Sequence, residues 1–151
     1  MQEISLRQVI EYAIAIEEEG YRFYRRAMRV SSNGDLQQLA EGFATDELNQ
    51  ANRFRAALGT KSIKAADLDR ILSLDDALMP ELTRCDLVRK DEFDKDILKD
   101  AIDREETTQK LYTFLAGVSD LNATIKTICE EFTQQEGGHL SKLQAALAAI
   151  A

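Results

Sequence analysis

AIAIEEEGYRFY, residues 13–24, and AIDREETTQKLY, residues 101–112, are one pattern written twice. Each opens on Ala-Ile, sets a glutamate at its fifth position (Glu17 and Glu105) and ends on a tyrosine (Tyr24 and Tyr112). Seven residues separate glutamate from tyrosine in both copies. That is close to two helical turns, so the pair shares one face of a helix. A second match, at an offset one residue longer, sets Phe43 on Phe132, Glu47 on Glu136 and Gln50 on His139. The chain therefore reads as two related halves.

Each half is a helical hairpin. The first helix spans about 6–30 and begins at Ser5, with Gln8 three residues on in a capping-box pattern. SSNGD (31–35) is a turn with Asp35 as the expected cap, and a second helix runs from 36 to 58, stopping at Gly59. The second half predicts helices over 94–118 and 123–150 around the turn SDLN (119–122). Short turns make antiparallel neighbours. Between the hairpins, AADLDRILSLDDALMPELTRCDLV (65–88) has a periodicity that predicts one or two short helices, interrupted near Pro80. The expected fold is all-α: a four-helix bundle forming one domain over 1–151, with hairpins 5–59 and 94–150 and a long crossover over 60–93.

Composition narrows the function. A formal charge of -8 argues against nucleic acid, because phosphate binding needs a basic stripe. No apolar run approaches the roughly 20 residues of a membrane span, and MQEISLRQ lacks a signal pattern, so a cytoplasmic location is expected. Cys85 and Cys129 form no CxxC motif, which removes thiolate metal knots and dithiol chemistry and leaves two reduced, buried thiols.

The matched glutamates are the unusual feature. Residues three, four and seven apart share a helical face. Glu17 falls among Ile10, Ala13, Ile14, Gly20 and Tyr24, and Glu47 among Ala40, Phe43, Ala44, Ala51 and Phe54. Glu105 falls among Leu98, Ala101, Ile102 and Tyr112, and Glu136 among Cys129, Phe132, Leu140 and Leu143, with His139 beside it. One such glutamate could reach solvent or find an arginine. Four buried together, each costing several kcal/mol unpaired, would exceed a typical net stability of ~5–15 kcal/mol. No Lys or Arg lies on these faces. Two divalent cations would balance the four charges. Neighbouring acids such as Glu18, Glu19 and Glu106 read as solvated. Gly137 and Gly138, beside His139 in QQEGGHL, are expected to relieve crowding where helices approach the cluster.

Glu17 in helix one, Glu47-x-x-Gln50 in helix two, Glu105 in helix three and Glu136-x-x-His139 in helix four resemble the ferritin-like diiron-carboxylate proteins, whose pattern is Glu then Glu-x-x-His in each half. The A-I-x-x-E-x-x-x-x-x-x-Y stretches are most similar to the rubrerythrin branch. The resemblance covers both hairpins. It implies two metal ions, iron first with manganese or zinc as other occupants. Glu17 and Glu105 would be terminal ligands, Glu47 and Glu136 would bridge, and His139 would complete the metal held by Glu105. Gln50 stands where the second imidazole belongs and is a weaker donor, so the metal beside Glu17 is expected to be the looser one. Tyr24 and Tyr112 would either hydrogen-bond the carboxylates or act as plain core aromatics.

The implied activity is oxidation of Fe(II) by oxygen or peroxide, an oxidoreductase function. The paired CxxC motifs of the rubredoxin-like domain common in rubrerythrins do not occur in these residues, so a separate electron donor is expected. Thr108 stands where rubrerythrins carry an additional glutamate, which weakens the case for peroxide reduction. Metal storage or delivery without turnover, and a structural bundle that has lost its metal, are the alternatives. The long crossover is compatible with a homodimer, including a domain-swapped one.

Overall fold

Ser5 accepts from the Gln8 amide while the Gln8 side chain accepts from the Ser5 amide, and this capping box opens α1 (Leu6–Val30) as expected. In this computed structural model, which describes residues 1–80 and 94–150, α1 is followed by α2 (Gly34–Gly59), α4 (Asp94–Ala116) and α5 (Ala123–Ile150), with a four-residue α3 (Ala65–Leu68) in the crossover. The helix boundaries differ from expectation, α2 starting at Gly34 rather than 36 and α4 ending at Ala116 rather than 118. Asn33, not Asp35, caps α2, its side chain accepting from the amides of Asp35 and Leu36. Gly59 is the last residue of α2 rather than a left-handed stop, and no described glycine has positive φ.

Among its described residues, the crossover holds less helix than its periodicity suggested. Ile71–Leu74 is a strand, β2, paired antiparallel with an N-terminal strand β1 (Gln2–Ser5), so that Gln2 lies opposite Leu74 and Ser5 opposite Ile71. Alternation explains it: Leu72 and Leu74 are buried while Ile71 and Ser73 are exposed. A 3-10 turn follows at Asp76–Leu78. The remainder expected to be helical around Cys85 lies outside the described residues.

The core comes in two apolar clusters. One gathers Val9, Ile10, Phe54, Leu111, Leu115, Ile125 and Phe132 under the strand pair. The other gathers Phe23, Leu36, Phe43, Ile97, Leu98 and Leu143 at the far end of the bundle. Every long helix passes from one cluster to the other. Glu17, Glu47, Glu105 and Glu136 lie in sequence at the crossing, so a polar belt divides the core. Cys129 is a buried free thiol whose pKa burial pushes up to about 12. No helix among the described residues is long and apolar enough to cross a membrane.

Candidate metal centre

All six residues singled out by the repeat are buried: Glu17, Glu47, Gln50, Glu105, Glu136 and His139. One chain brings them together. A donor atom from each of Glu47, Glu105, Glu136 and His139 fits within a span of 4.8 Å. Glu17 joins by lying against Glu47 closely enough for the two carboxyls to interact. Gln50 joins by donating from Nε2 to Glu136 Oε1 at 3.0 Å.

The tyrosines brace this group across the bundle. Each glutamate pairs with the tyrosine of the opposite hairpin, not the one on its own helix. Tyr24 of α1 donates to Glu105 Oε1 at 2.7 Å, and Tyr112 of α4 donates to Glu17 Oε1. Both rings also pack in the apolar clusters, Tyr24 edge-on to Phe43 and Tyr112 against Phe54 and Phe132. Burial and the neighbouring carboxylates raise the pKa of both phenols, so they remain donors.

His139 is held from outside the belt. Its Nε2 lies 2.9 Å from Oδ2 of Asp46 on α2, and its ring rests on Phe43 at 4.2 Å. Its Nδ1 turns inward, 3.6 Å from Glu105 Oε2 and 3.9 Å from Glu136 Oε2. Burial alone would lower the imidazole pKa, but Glu105 and Asp46 outweigh it and raise the value. Nothing in the sequence singled out Asp46, because half of its side chain is exposed and it reads as part of a solvated face.

The carboxyls themselves are crowded. Desolvation raises Glu17 to about 7 against the lowering effect of its bonds from Glu47 and Tyr112. Glu47 rises well above the ordinary range, through burial first and then the charges of Glu17 and Glu105. Without a cation, burial and these charges therefore favour the protonated form of Glu47.

Two expectations about the surroundings need correction. Glu19 is buried, not solvated, and pairs with Arg104 at 2.8 Å. The glycine that makes room for the cluster is Gly20. A methyl group there would sit 2.9 Å from Glu47 Oε2 and 3.0 Å from its carboxyl carbon. In QQEGGHL, only Gly137 is close to anything, with Gln109 Nε2 at 3.2 Å from an added Cβ, while Gly138 faces open space.

The donor set fits a pair of cations. Glu17 Oε2, Gln50 Oε1, Glu136 Oε2 and His139 Nδ1 are buried with no hydrogen-bond partner. All four are lone-pair atoms in an acidic pocket. Orphaned acceptors of this kind are rare in native interiors unless water or an ion meets them. Among the described residues, no Lys or Arg forms an ion pair with the four glutamates.

No family model and no curated protein matches this sequence. Solved structures do match its fold. A Thermotoga maritima protein described as ferritin-like and diiron-carboxylate superposes with a TM-score of 0.81 at 25% identity, over 100% of this chain and 99% of that one. A dodecameric thioferritin, the bacterioferritin-related protein of Bacteroides fragilis, superposes at 0.73 and 22% identity, over 96% of this chain and 85% of that one. The architecture is thus that of the ferritin-like four-helix bundle, the fold class the duplicated hairpins pointed to.

Proposed function

We propose that this protein holds a dinuclear metal centre, iron in the first instance, in the polar belt of its bundle, and that it oxidises Fe(II) with oxygen or peroxide. The observation that carries the reading is the set of four orphaned buried donor atoms on four matched side chains. The fold likeness to a protein described as diiron-carboxylate supports it. Glu17 and Glu105 would each hold one metal, with His139 Nδ1 beside Glu105 and Gln50 Oε1 beside Glu17. Glu47 and Glu136 would lie between. When bound, the iron pair supplies the electrons that reduce oxygen or peroxide.

The chain's own part is geometry, charge and protons. Tyr24 and Tyr112 fix one oxygen of Glu105 and Glu17, which leaves the other oxygen of each to face a cation. Asp46 holds the imidazole by Nε2 and so commits Nδ1 to the interior. Glu47 releases its proton on binding, and the pH dependence of loading follows from that release. Anaerobic titration with Fe(II), followed by mixing with oxygen or peroxide in a stopped-flow spectrometer, tests the activity. Two equivalents bound per chain and an oxidation rate well above that of free Fe(II) are expected. Binding without oxidation would move the assignment to storage or delivery, a second reading that the weak Gln50 donor favours.

Gly20→Ala separates this reading from a purely structural role. In a helix interior the change should stabilise by ~1 kcal/mol. Here the new methyl group displaces the Glu47 carboxylate. The expected result is metal affinity lower by roughly tenfold, with the metal-free melt shifted by ~1 kcal/mol or less. Calorimetric titration with Co(II) measures the first and thermal denaturation the second. Unchanged affinity would mean that Glu47 is not a ligand.

A further inference from the structure

The repeat relates not only the six belt residues but also the residues that hold two of them. His139 on α5 is held by Asp46 on α2, and Gln50 on α2 is held by Gln135 on α5, whose Oε1 accepts from Gln50 Nε2 at 2.8 Å. Asp46 matches Gln135 at the same offset that matches Gln50 to His139. Each holder lies four residues before the belt residue of its own helix, Asp46 before Gln50 and Gln135 before His139. An imidazole with a carboxylate behind it on one side is therefore answered by an amide with an amide carbonyl behind it on the other.

This fixes which atom Gln50 offers. Its amide nitrogen is engaged twice, by Gln135 Oε1 and by Glu136 Oε1. A flipped amide would set its oxygen against the Glu136 carboxylate. Oε1 is thus the atom left over, on a side chain only 2% exposed, and it has no partner. A side chain that had merely lost a metal-binding role would have no reason to keep a buried carbonyl oxygen unpaired, since an unmet buried acceptor is destabilising.

The two halves then differ in donor chemistry. The Gln50 half, with Glu17, adds oxygen donors only to the shared carboxylates Glu47 and Glu136. The other half adds the imidazole nitrogen of His139. Carboxylate and carbonyl oxygens suit hard cations such as Mn(II), whereas imidazole favours Fe(II) over Mn(II). We propose that the centre is built to hold two different metals, a manganese-class cation beside Glu17 and Gln50 Oε1 and iron beside Glu105 and His139 Nδ1, with Glu47 and Glu136 between them. This rests on the dinuclear reading above and specifies which ion each half selects.

The test uses the full chain, crystallised anaerobically with equimolar Fe(II) and Mn(II). Anomalous differences measured at the iron and manganese edges give the metal ratio at each half separately. The Mn:Fe ratio on the Gln50 half should exceed that on the His139 half by roughly tenfold or more. The same ratio on both halves overturns the proposal. So does a Gln50 half that binds neither ion while the His139 half fills. Neither half filling would remove the dinuclear reading itself, which keeps the two failures distinct. A second measurement uses Gln50→His with Gln135→Asp, which copies the His139–Asp46 arrangement. In that variant the two halves should agree within about twofold, and a metal ratio unchanged from wild type overturns the selection.

Discussion

Filling one site with Fe(II) or Mn(II) at about 100 times its dissociation constant should stabilise the protein by ~2.7 kcal/mol, and Glu47→Ala should abolish most of that gain. For a helical domain of this size the gain is a rise of roughly 5–10 °C in Tm. Glu47 is the residue to remove because it contacts both Glu17 and Glu105 and so touches both halves of the belt. The pH dependence of the metal-free protein provides the control. Glu17 rises from the ordinary 4.5 to about 7, and Glu47 is also raised, through burial and the charges of Glu17 and Glu105. A carboxyl raised on folding contributes stability that is fully present below its unfolded value and is lost as pH rises through its folded value. The raised His139 imidazole acts in the same direction. Metal-free protein should therefore melt lower at pH 7 than at pH 5, while bound cations remove the repulsion. The gap between loaded and metal-free Tm should widen over that interval. Glu47→Ala deletes a raised carboxyl, so its metal-free form should lose stability less steeply with pH. Thermal melts of both proteins at the two pH values, with and without metal, check this. A wild-type melt that metal leaves unmoved would make the four glutamates structural.

Asp46→Ala should weaken the metal beside His139 by roughly 10–100-fold, the usual effect of removing the group that orients a ligating histidine. The cost to the metal-free fold should be small, ~1 kcal/mol or less, because the lost ion pair is half-exposed. Asp46→Asn keeps an acceptor for Nε2–H and should lose less. Calorimetric titration of the three proteins with Co(II), whose d–d spectrum also reports on nitrogen ligation, reads the ranking. Equal affinity in all three would show that Phe43 alone orients the ring.

How much of this was written along the chain follows from how local each cause is. The capping box at Ser5, the extents of α1 and α5 and the amphipathic faces depend on neighbours within a few residues, and they stand as read. Burial of Glu17, Glu47, Glu105, Glu136 and His139 was legible for the same reason, since each sits on an apolar stripe that must turn inward. Asp46, Gly20 and the Glu19–Arg104 pair were not legible. An exposed-looking aspartate becomes a histidine's partner only when α2 meets α5. Gly20 becomes necessary only when Glu47 crosses over it, and Glu19 is neutralised by an arginine from the other hairpin. The β1–β2 pairing joins strands that lie far apart in sequence, and a four-residue strand carries too little periodicity to declare itself. The crossed tyrosines make the same point. Tyr24 and Glu17 share a helix face by spacing, but the bundle hands each tyrosine to the glutamate of the opposite hairpin. Periodicity along one helix decides which side chains are buried; the packing of that helix against another decides whom they meet, because those distances depend on residues remote in sequence.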